Sequence, residues 1–286
     1  MSQSEKKPAL RLPGPLLLVG CGKMGGALLR GWLERGVDPK QVSVVDIKPA
    51  GIDDIQAKGV HVLTKASELP ADLKPALVLL AVKPQFMDDA MPDYRRFADS
   101  NSHGPNTTFL SIAAGKTVAY FKDRLGASAE IVRSMPNTPA AVGRGATVIW
   151  RDPAVRKERL ELCGELLRAV GLVEWVESED LLNAVTAMSG GGPAYVFLLI
   201  ECLAEAGRAA GLPAELAMRL ARETVSGSGE LARLSEESAA QLRQNVTSPK
   251  GTTLEALNVL MAPDGLQPLM TRAIAAATRR SRELAQ

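Results

Sequence analysis

Leu16-Leu-Leu-Val-Gly20-Cys-Gly22-Lys-Met-Gly25 sets a short apolar run directly before three glycines spaced G-x-G-x-x-G. Four apolar residues closed by Gly read as a strand buried on both faces, as in a parallel sheet. Residues 27–35 follow with helical spacing and stop at Gly36. The stretch is therefore strand, turn, helix. Gly20 permits the tight turn, Gly22 lets backbone approach a pyrophosphate, and Gly25 lets helix and strand pack closely. Lys23 and Met24 belong to the same loop.

A bare glycine match is weak. Here an acidic residue, Asp46, closes the next strand at 42–45, near the offset expected of a group that binds a ribose diol. The whole reads as a dinucleotide site. Asp46 favours NAD(H), because a carboxylate repels a 2′-phosphate; Lys48, two residues on, could hold that phosphate instead or simply be solvated. The choice between NADH and NADPH stays open.

Working outward, strands at 60–63, 76–82, 108–112, 131–133, 146–150 and 172–176 alternate with helices at 52–58, 86–97, 118–125 and 153–170. Pro92 makes the middle of the second helix uncertain. The alternation implies an α/β fold with a parallel sheet covered on both faces. Ligands of such sheets bind beyond the carboxyl ends of strands. Ala81-Val82-Lys83-Pro84 and the loop through Ala113 should therefore face the cofactor, and Asn137 and Thr138, on the same side, could bind its carboxamide or the substrate. Asn137 between prolines is also simply a good turn residue.

No convincing strand follows residue 177. Helices are expected at 181–188, 194–210, 213–234, 239–245 and 263–286, with Ser189-Gly-Gly-Gly-Pro193 as an interruption. The domain plan is thus a mobile tail 1–14, a Rossmann-type domain 15–177 and an all-α domain 178–286. Residues 194–210 are apolar nearly all round, so that helix must be buried on most sides. About 110 residues cannot hide that surface alone, which points to a homodimer.

The second chemical stretch is Val246-Thr-Ser248-Pro-Lys250-Gly251-Thr252-Thr253-Leu. Pro249 and Gly251 break the chain, and Thr252 or Thr253 can cap the helix that follows. A helix start carries free N–H groups and partial positive charge, so it favours a small carboxylate. Ser248, Thr252 and Thr253 add three hydroxyls. The alternative is an ordinary capped turn.

Composition is that of a globular protein: 46% hydrophobic, 23% charged, net charge +2. That small charge argues against nucleic acid. The longest apolar stretch, 194–200, is too short to span a bilayer, which argues against a membrane protein. Cys21, Cys163 and Cys202 are widely spaced and odd in number, with no metal-ligand spacing, so no metal is expected and a reducing, cytoplasmic setting is. Neither His61 nor His103 lies near this second stretch in sequence, and both read as bystanders. Hydride chemistry suits this shortage of strong acids and bases, since the cofactor carries the reaction.

The motifs together resemble the pyrroline-5-carboxylate reductase family. The carriers are Gly20 to Gly25, Ala81-Val-Lys-Pro84, Val132-Arg-Ser-Met-Pro-Asn-Thr-Pro139, Ser189-Gly-Gly-Gly-Pro-Ala-Tyr195 and the stretch 246–253. The resemblance implies a Rossmann domain and a helical domain that interlocks with a second chain, in dimers that assemble further into decamers. It implies reduction of 1-pyrroline-5-carboxylate to L-proline by NADPH or NADH. Ser248 and the N–H groups of Gly251, Thr252 and Thr253 would hold the substrate carboxylate, with Val246 alongside. Thr253 would bond the ring nitrogen as the catalytic group, and Glu236 would help arrange the pocket or be a solvated charge. Two departures stand out. Gly191 replaces a Ser, and Lys250 replaces a Gly, in a loop whose backbone is taken to tolerate a side chain. Lys250 then points to solvent or adds charge near the carboxylate. Competing readings are another imine or β-hydroxyacid reductase of the same plan, a non-catalytic nucleotide or pyridoxal phosphate binder, and a structural oligomer with a vestigial loop.

Overall fold

The computed structural model describes residues 9–49, 51–98 and 107–285. It contains two compact units, one running through Gly190 and resuming at Thr278, the other Gly191–Ala277. The division thus falls after Gly190, beyond the boundary at 177/178 read from the sequence. Of the expected tail, residues 1–8 lie outside the described residues. Leu10 is already docked: it is buried, and its N–H donates to Arg35 O at 2.9 Å.

In the first unit, β1 (Leu16–Val19), β2 (Val42–Val45), β3 (His61–Leu63), β4 (Leu77–Leu80), β5 (Thr108–Ser111), β6 (Glu130–Met135), β7 (Gly145–Trp150) and β8 (Gly171–Val176) form one sheet. Its order is β3-β2-β1-β4-β5-β6-β7-β8. The helices are α1 (Lys23–Glu34), α2 (Asp53–Gln56), α3 (Met87–Ala90), α4 (Val118–Leu125), α5 (Lys157–Leu167) and α6 (Leu181–Val185). The helix expected over 86–97 is short because Pro92 opens a separate 3-10 segment, Met91–Phe97.

The chain lays β2 and β3 outward on one side of β1, then crosses back to pair β4 with the other side. This reversal opens a crevice at the carboxyl ends of β1 and β4. One pairing departs from the expected parallel sheet: β6 and β7 are antiparallel, with Ser134 opposite Ile149. Their connection, residues 136–144, is shorter than the roughly dozen residues a parallel crossover needs. β7 and β8 are parallel again, joined through α5.

Alternation along each strand divides the core between the two faces. Leu16, Leu18, Val42, Val44, Leu77 and Leu79 pack with Leu28, Leu29 and Trp32 of α1 and Cys163, Leu166 and Leu167 of α5. Leu17, Val19, Val45, Val78 and Leu80 pack with Met87, Met91, Tyr94, Val118, Phe121 and Leu125. Each fully buried side chain of this size contributes about 1.5–3 kcal/mol relative to exposure. Trp32 is fully buried, and its indole N–H donates to Leu166 O at 2.9 Å, tying α1 to α5. Truncating it to Ala would cost about 3–5 kcal/mol.

The second unit is helical: α7 (Gly192–Ala209), α8 (Ala214–Leu234), α9 (Ala239–Asn245), α10 (Thr252–Leu260) and most of α11 (Leu266–Leu284), whose last turns belong to the first unit. Small residues let α7 and α8 approach: Ala204, Ala217 and Ala221 are buried, and a Cβ at Gly207 would touch Ala217. The glycine-rich stretch interrupts less than expected. Thr186–Gly190 makes one π-helical turn and α7 follows at Gly192. The helical run Leu181–Ala209 is long and apolar enough, by length and composition alone, to cross a membrane, correcting the shorter stretch read from sequence. Within one chain its apolar face is open, with Phe197 60% and Leu198 57% exposed.

Candidate functional site

The strand ends meet as the crevice requires. Gly20 N–H donates to Val45 O and Ala81 N–H to Val19 O, both at 2.8 Å, so the first residue past each strand continues the ladder. Gly20 adopts φ +88°, and a Cβ there would sit 2.9 Å from the Ala81 carbonyl carbon and oxygen. A Cβ on Gly25 would collide with the Gly20 carbonyl oxygen. Gly22 differs: a Cβ there meets nothing within 4 Å. It is the N-cap of α1, in extended conformation, with no capping side chain and no acidic residue in the first turn. The N–H groups at Lys23 and Met24 thus start a helix with no cap or acidic residue of its own at the positive end. Open space beside an uncapped helix start fits a pyrophosphate. A bound dinucleotide would be held there by Gly20, Gly22, Lys23, Met24 and Gly25.

Asp46 lies at the end of β2. Its Oδ2 accepts from Cys21 N at 2.6 Å and its Oδ1 from Lys48 N at 2.8 Å. The carboxylate is fixed against the glycine turn. Lys48 is exposed beside it, as is Ile47 at 85%.

The other strand-end residues divide into open and engaged groups. Val82 and Pro84 are half-buried and Lys83 is exposed, on the loop after β4. Ala113 is buried, and its N–H is taken by Ser111 Oγ at 3.2 Å. Asn137 is spent on protein partners. Its amide donates to Ser189 O and Oγ, both at 3.2 Å, while its Oδ1 accepts from Ala146 N at 2.8 Å. It brackets the glycine-rich turn to the β6–β7 connection. His61 is exposed on edge strand β3, and His103 lies outside the described residues.

In the second unit, α10 begins at Gly251, which is extended and carries no side-chain cap; the expected Thr252 and Thr253 are instead its first two helical residues. Gly251 N–H donates to Ser248 O, and Leu254 N–H turns back to Gly251 O. Among the described residues, the N–H groups and hydroxyls of Thr252 and Thr253, and the hydroxyl of Ser248, have no protein partner. Thr247 shows the contrast, its hydroxyl back-bonded to Arg243 O at 2.7 Å. Lys250 takes φ 59°, the left-handed region, at a strain of about 1–2 kcal/mol. It is exposed, as is Val246. Glu236 lies in the turn between α8 and α9. That turn is tied to the start of the motif, since Asn245 donates to Glu237 at 3.0 Å. This tip offers donors to an anion and hydroxyls to a second polar atom.

The sequence reading missed one buried pair. Arg133 on β6 is 3% exposed and donates to Glu179 at 2.9 Å. A cation inside the run Ile131-Val-Arg133 was the available signal, because a buried charge requires a partner. The pair borders a cavity of about 350 Å³ lined also by Thr117, Asp180, Asn183 and Arg282.

Residues 179–284 match the family model described as pyrroline-5-carboxylate reductase dimerisation, and residues 16–115 match one described as NADP oxidoreductase, coenzyme F420-dependent. Pyrroline-5-carboxylate reductase of Pseudomonas aeruginosa is 36% identical over 95% of this chain and 97% of its own. The solved structure of a pyrroline-5-carboxylate reductase from Coxiella burnetii superimposes with a TM-score of 0.86 at 36% identity, covering 96% of this chain and all of that one. That of Plasmodium falciparum pyrroline carboxylate reductase, with NADP bound, gives 0.78 at 25% identity, covering 96% and 99%. An uncapped glycine turn at the sheet reversal and a hydroxyl-rich helix start are what such a fold would need, and at these identities over nearly its full length the chain belongs to the pyrroline-5-carboxylate reductase family.

Proposed function

We propose that this chain reduces the C=N bond of 1-pyrroline-5-carboxylate to L-proline, using NADH or NADPH. The observation that carries the reading is the start of α10, where uncapped N–H groups and the open hydroxyls of Ser248, Thr252 and Thr253 converge on one short turn. A pure nucleotide binder has no use for that cluster. The test is to follow oxidation of both nicotinamides in the presence of pyrroline-5-carboxylate and to identify proline as product. Absence of turnover with either cofactor would end the proposal.

The bound nicotinamide would supply the hydride to the ring carbon. The chain's own residues then have three tasks. Ser248 and the N–H groups of Gly251, Thr252 and Thr253 hold the carboxylate, with Val246 and Glu236 shaping the pocket. Thr253 orients the ring nitrogen and passes it a proton, directly or through water. A hydroxyl is too weak an acid to form the iminium alone, so most of the rate comes from holding two reactants at near-attack distance. Gly20, Gly22, Lys23, Met24, Gly25, Asp46 and Lys48 hold the nucleotide. Ala81, Val82, Lys83, Pro84 and Ala113 border its nicotinamide end, with Asn137 as the bracket beneath.

On this reading residues 15–177 bind the nucleotide, and 178–286 bind substrate and dimerise. The open apolar face of α7 is covered by a second copy rather than by lipid. The match to a dimerisation family across the same residues supports this. Decamers built from such dimers are the next level of assembly. Three unpaired cysteines accord with a cytoplasmic setting.

A further inference from the structure

We propose that the last turns of α11 position the β5–α4 loop, residues 112–117, for hydride transfer, with Ser281 and Leu284 as the positioning residues. This rests on the reading that the loop, through Ala113, borders the nicotinamide end of the cofactor. The two ends of the loop are tied by hydrogen bonds. Ser111 Oγ accepts from Ala113 N at 3.2 Å, and Glu179 accepts from Val118 N at 2.8 Å. Lys116 reaches Asp88 only at 3.9 Å, a partly exposed pair that contributes little. The middle of the loop, Gly115, meets α11. Gly115 takes φ +72°, and a Cβ there would lie 3.2 Å from Leu284 O and 3.3 Å from Leu284 Cβ. The two backbones approach at a spacing that glycine allows.

The end of α11 is itself anchored. Ser281 is 5% exposed, and its hydroxyl donates to Asn183 Oδ1 at 2.8 Å. Arg282 forks onto Asp180 at 2.7 and 3.2 Å. Asp180 and Asn183 belong to the start of α6, directly after the Glu179 that holds Val118 N–H. One short segment thus ties the far end of the loop and seats the helix that lies against its middle. The cavity of about 350 Å³ lies among these parts, bordered by Thr117, Asn183, Arg282 and Ala285. A loop beside a cavity is not fixed by close packing on that side, so the contact with Leu284 sets where it stands. Misplacing a reactant by about 1 Å can cost on the order of a hundredfold in rate. A shift of this loop would therefore show in turnover before it shows in affinity, which the glycine turn after β1 supplies.

The test compares the full-length parent with Leu284→Gly, Ser281→Ala and Ser281→Thr. Leu284 is 57% exposed, so truncating it removes little buried surface while withdrawing the Cβ from Gly115. Three quantities are read: kcat with pyrroline-5-carboxylate, the dissociation constant of NADH or NADPH, whichever the parent binds tighter, and the fluorescence of that bound nicotinamide. Leu284→Gly and Ser281→Ala should lower kcat about tenfold to a hundredfold and change the fluorescence, with affinity within about threefold of the parent. Ser281→Thr keeps the hydroxyl and should recover most of the turnover. Unchanged kcat in Leu284→Gly and Ser281→Ala, or a fall in kcat matched by an equal loss of affinity, would overturn the proposal. A lower kcat with unmoved nicotinamide fluorescence would overturn it too, by showing that the loop does not border the nicotinamide. No turnover by the parent would remove the proposed reaction and this inference with it.

Discussion

Arg133 and Glu179 are joined at 2.9 Å, and the same Glu179 oxygen accepts the Val118 N–H that opens α4, at 2.8 Å. One carboxylate thus neutralises a buried guanidinium and finishes a helix start. The two partners are unequal. Arg133 is 3% exposed and Glu179 24%. Glu179→Ala strands a charge inside the protein and should cost about 3 kcal/mol, whereas Arg133→Met leaves a carboxylate near water and should cost about half as much. Urea denaturation at one fixed protein concentration reads both. Equal losses would mean that Glu179 does not serve as the partner described.

The three glycines of the turn after β1 should separate under substitution. Gly22→Ala meets open space at φ −68°, so it should change stability by less than about 1 kcal/mol yet weaken dinucleotide binding severely. Gly25→Ala drives a methyl into the Gly20 carbonyl and should impair both folding and binding. Paired measurement of melting temperature and dinucleotide affinity distinguishes them. A Gly22→Ala protein with normal affinity would remove the pyrophosphate from this spot.

Thr253→Ala removes a hydroxyl that no protein group uses among the described residues. Turnover should fall about tenfold to a thousandfold with the melting temperature nearly unchanged, the range of a general-acid contribution. Thr247→Ala, whose hydroxyl serves only Arg243 O, should leave turnover within about threefold of normal. Unchanged kcat and KM in the Thr253 variant would take Thr253 out of the reaction.

Burial first, and then the Asp46 carboxylate, push the Cys21 thiol up to about 11 from its ordinary 9.0. The folded state therefore keeps the proton where the unfolded chain has lost it. The resulting stability is complete below pH 9 and disappears as pH rises from about 9 to about 11. Alkylation of Cys21, followed by peptide mass spectrometry, should accelerate through that upper window. A half-maximal rate near pH 9 would show an unshifted thiol.

How much could be read beforehand varies by element. Uninterrupted apolar runs such as Leu77–Leu80 declared themselves, because a strand buried on both faces needs no polar side. Helix α4 came out at its expected limits, with Thr117 capping it through Tyr120 N. The antiparallel β6–β7 pair was hidden, because residues 134–145 between the two expected strands are enough for a parallel crossover, and only the longer strands of the structure shorten the connection to 136–144. Three further features were not legible. The cap of α10 fell to Gly251 because backbone geometry at Lys250 and Gly251 decides it, and no residue type announces a left-handed lysine. The roles of Asn137 and Ser189 depend on a contact across 52 positions. The open face of α7 looked like an interior helix, since apolar composition alone does not say whose interior.

Helices α1 and α10 both begin on a glycine with no side-chain cap. A Ser, Thr, Asp or Asn at such a position exceeds glycine by about 0.3 kcal/mol, and the chain forgoes it twice. The empty enzyme is consequently looser at the two places where its reactants are expected to dock, and occupancy itself completes the helices. Heat resistance becomes a gauge of loading. Selecting variants for thermotolerance without ligands would reward Gly22→Ser, whose Cβ meets open space, hardening the protein while closing the berth expected to take the cofactor.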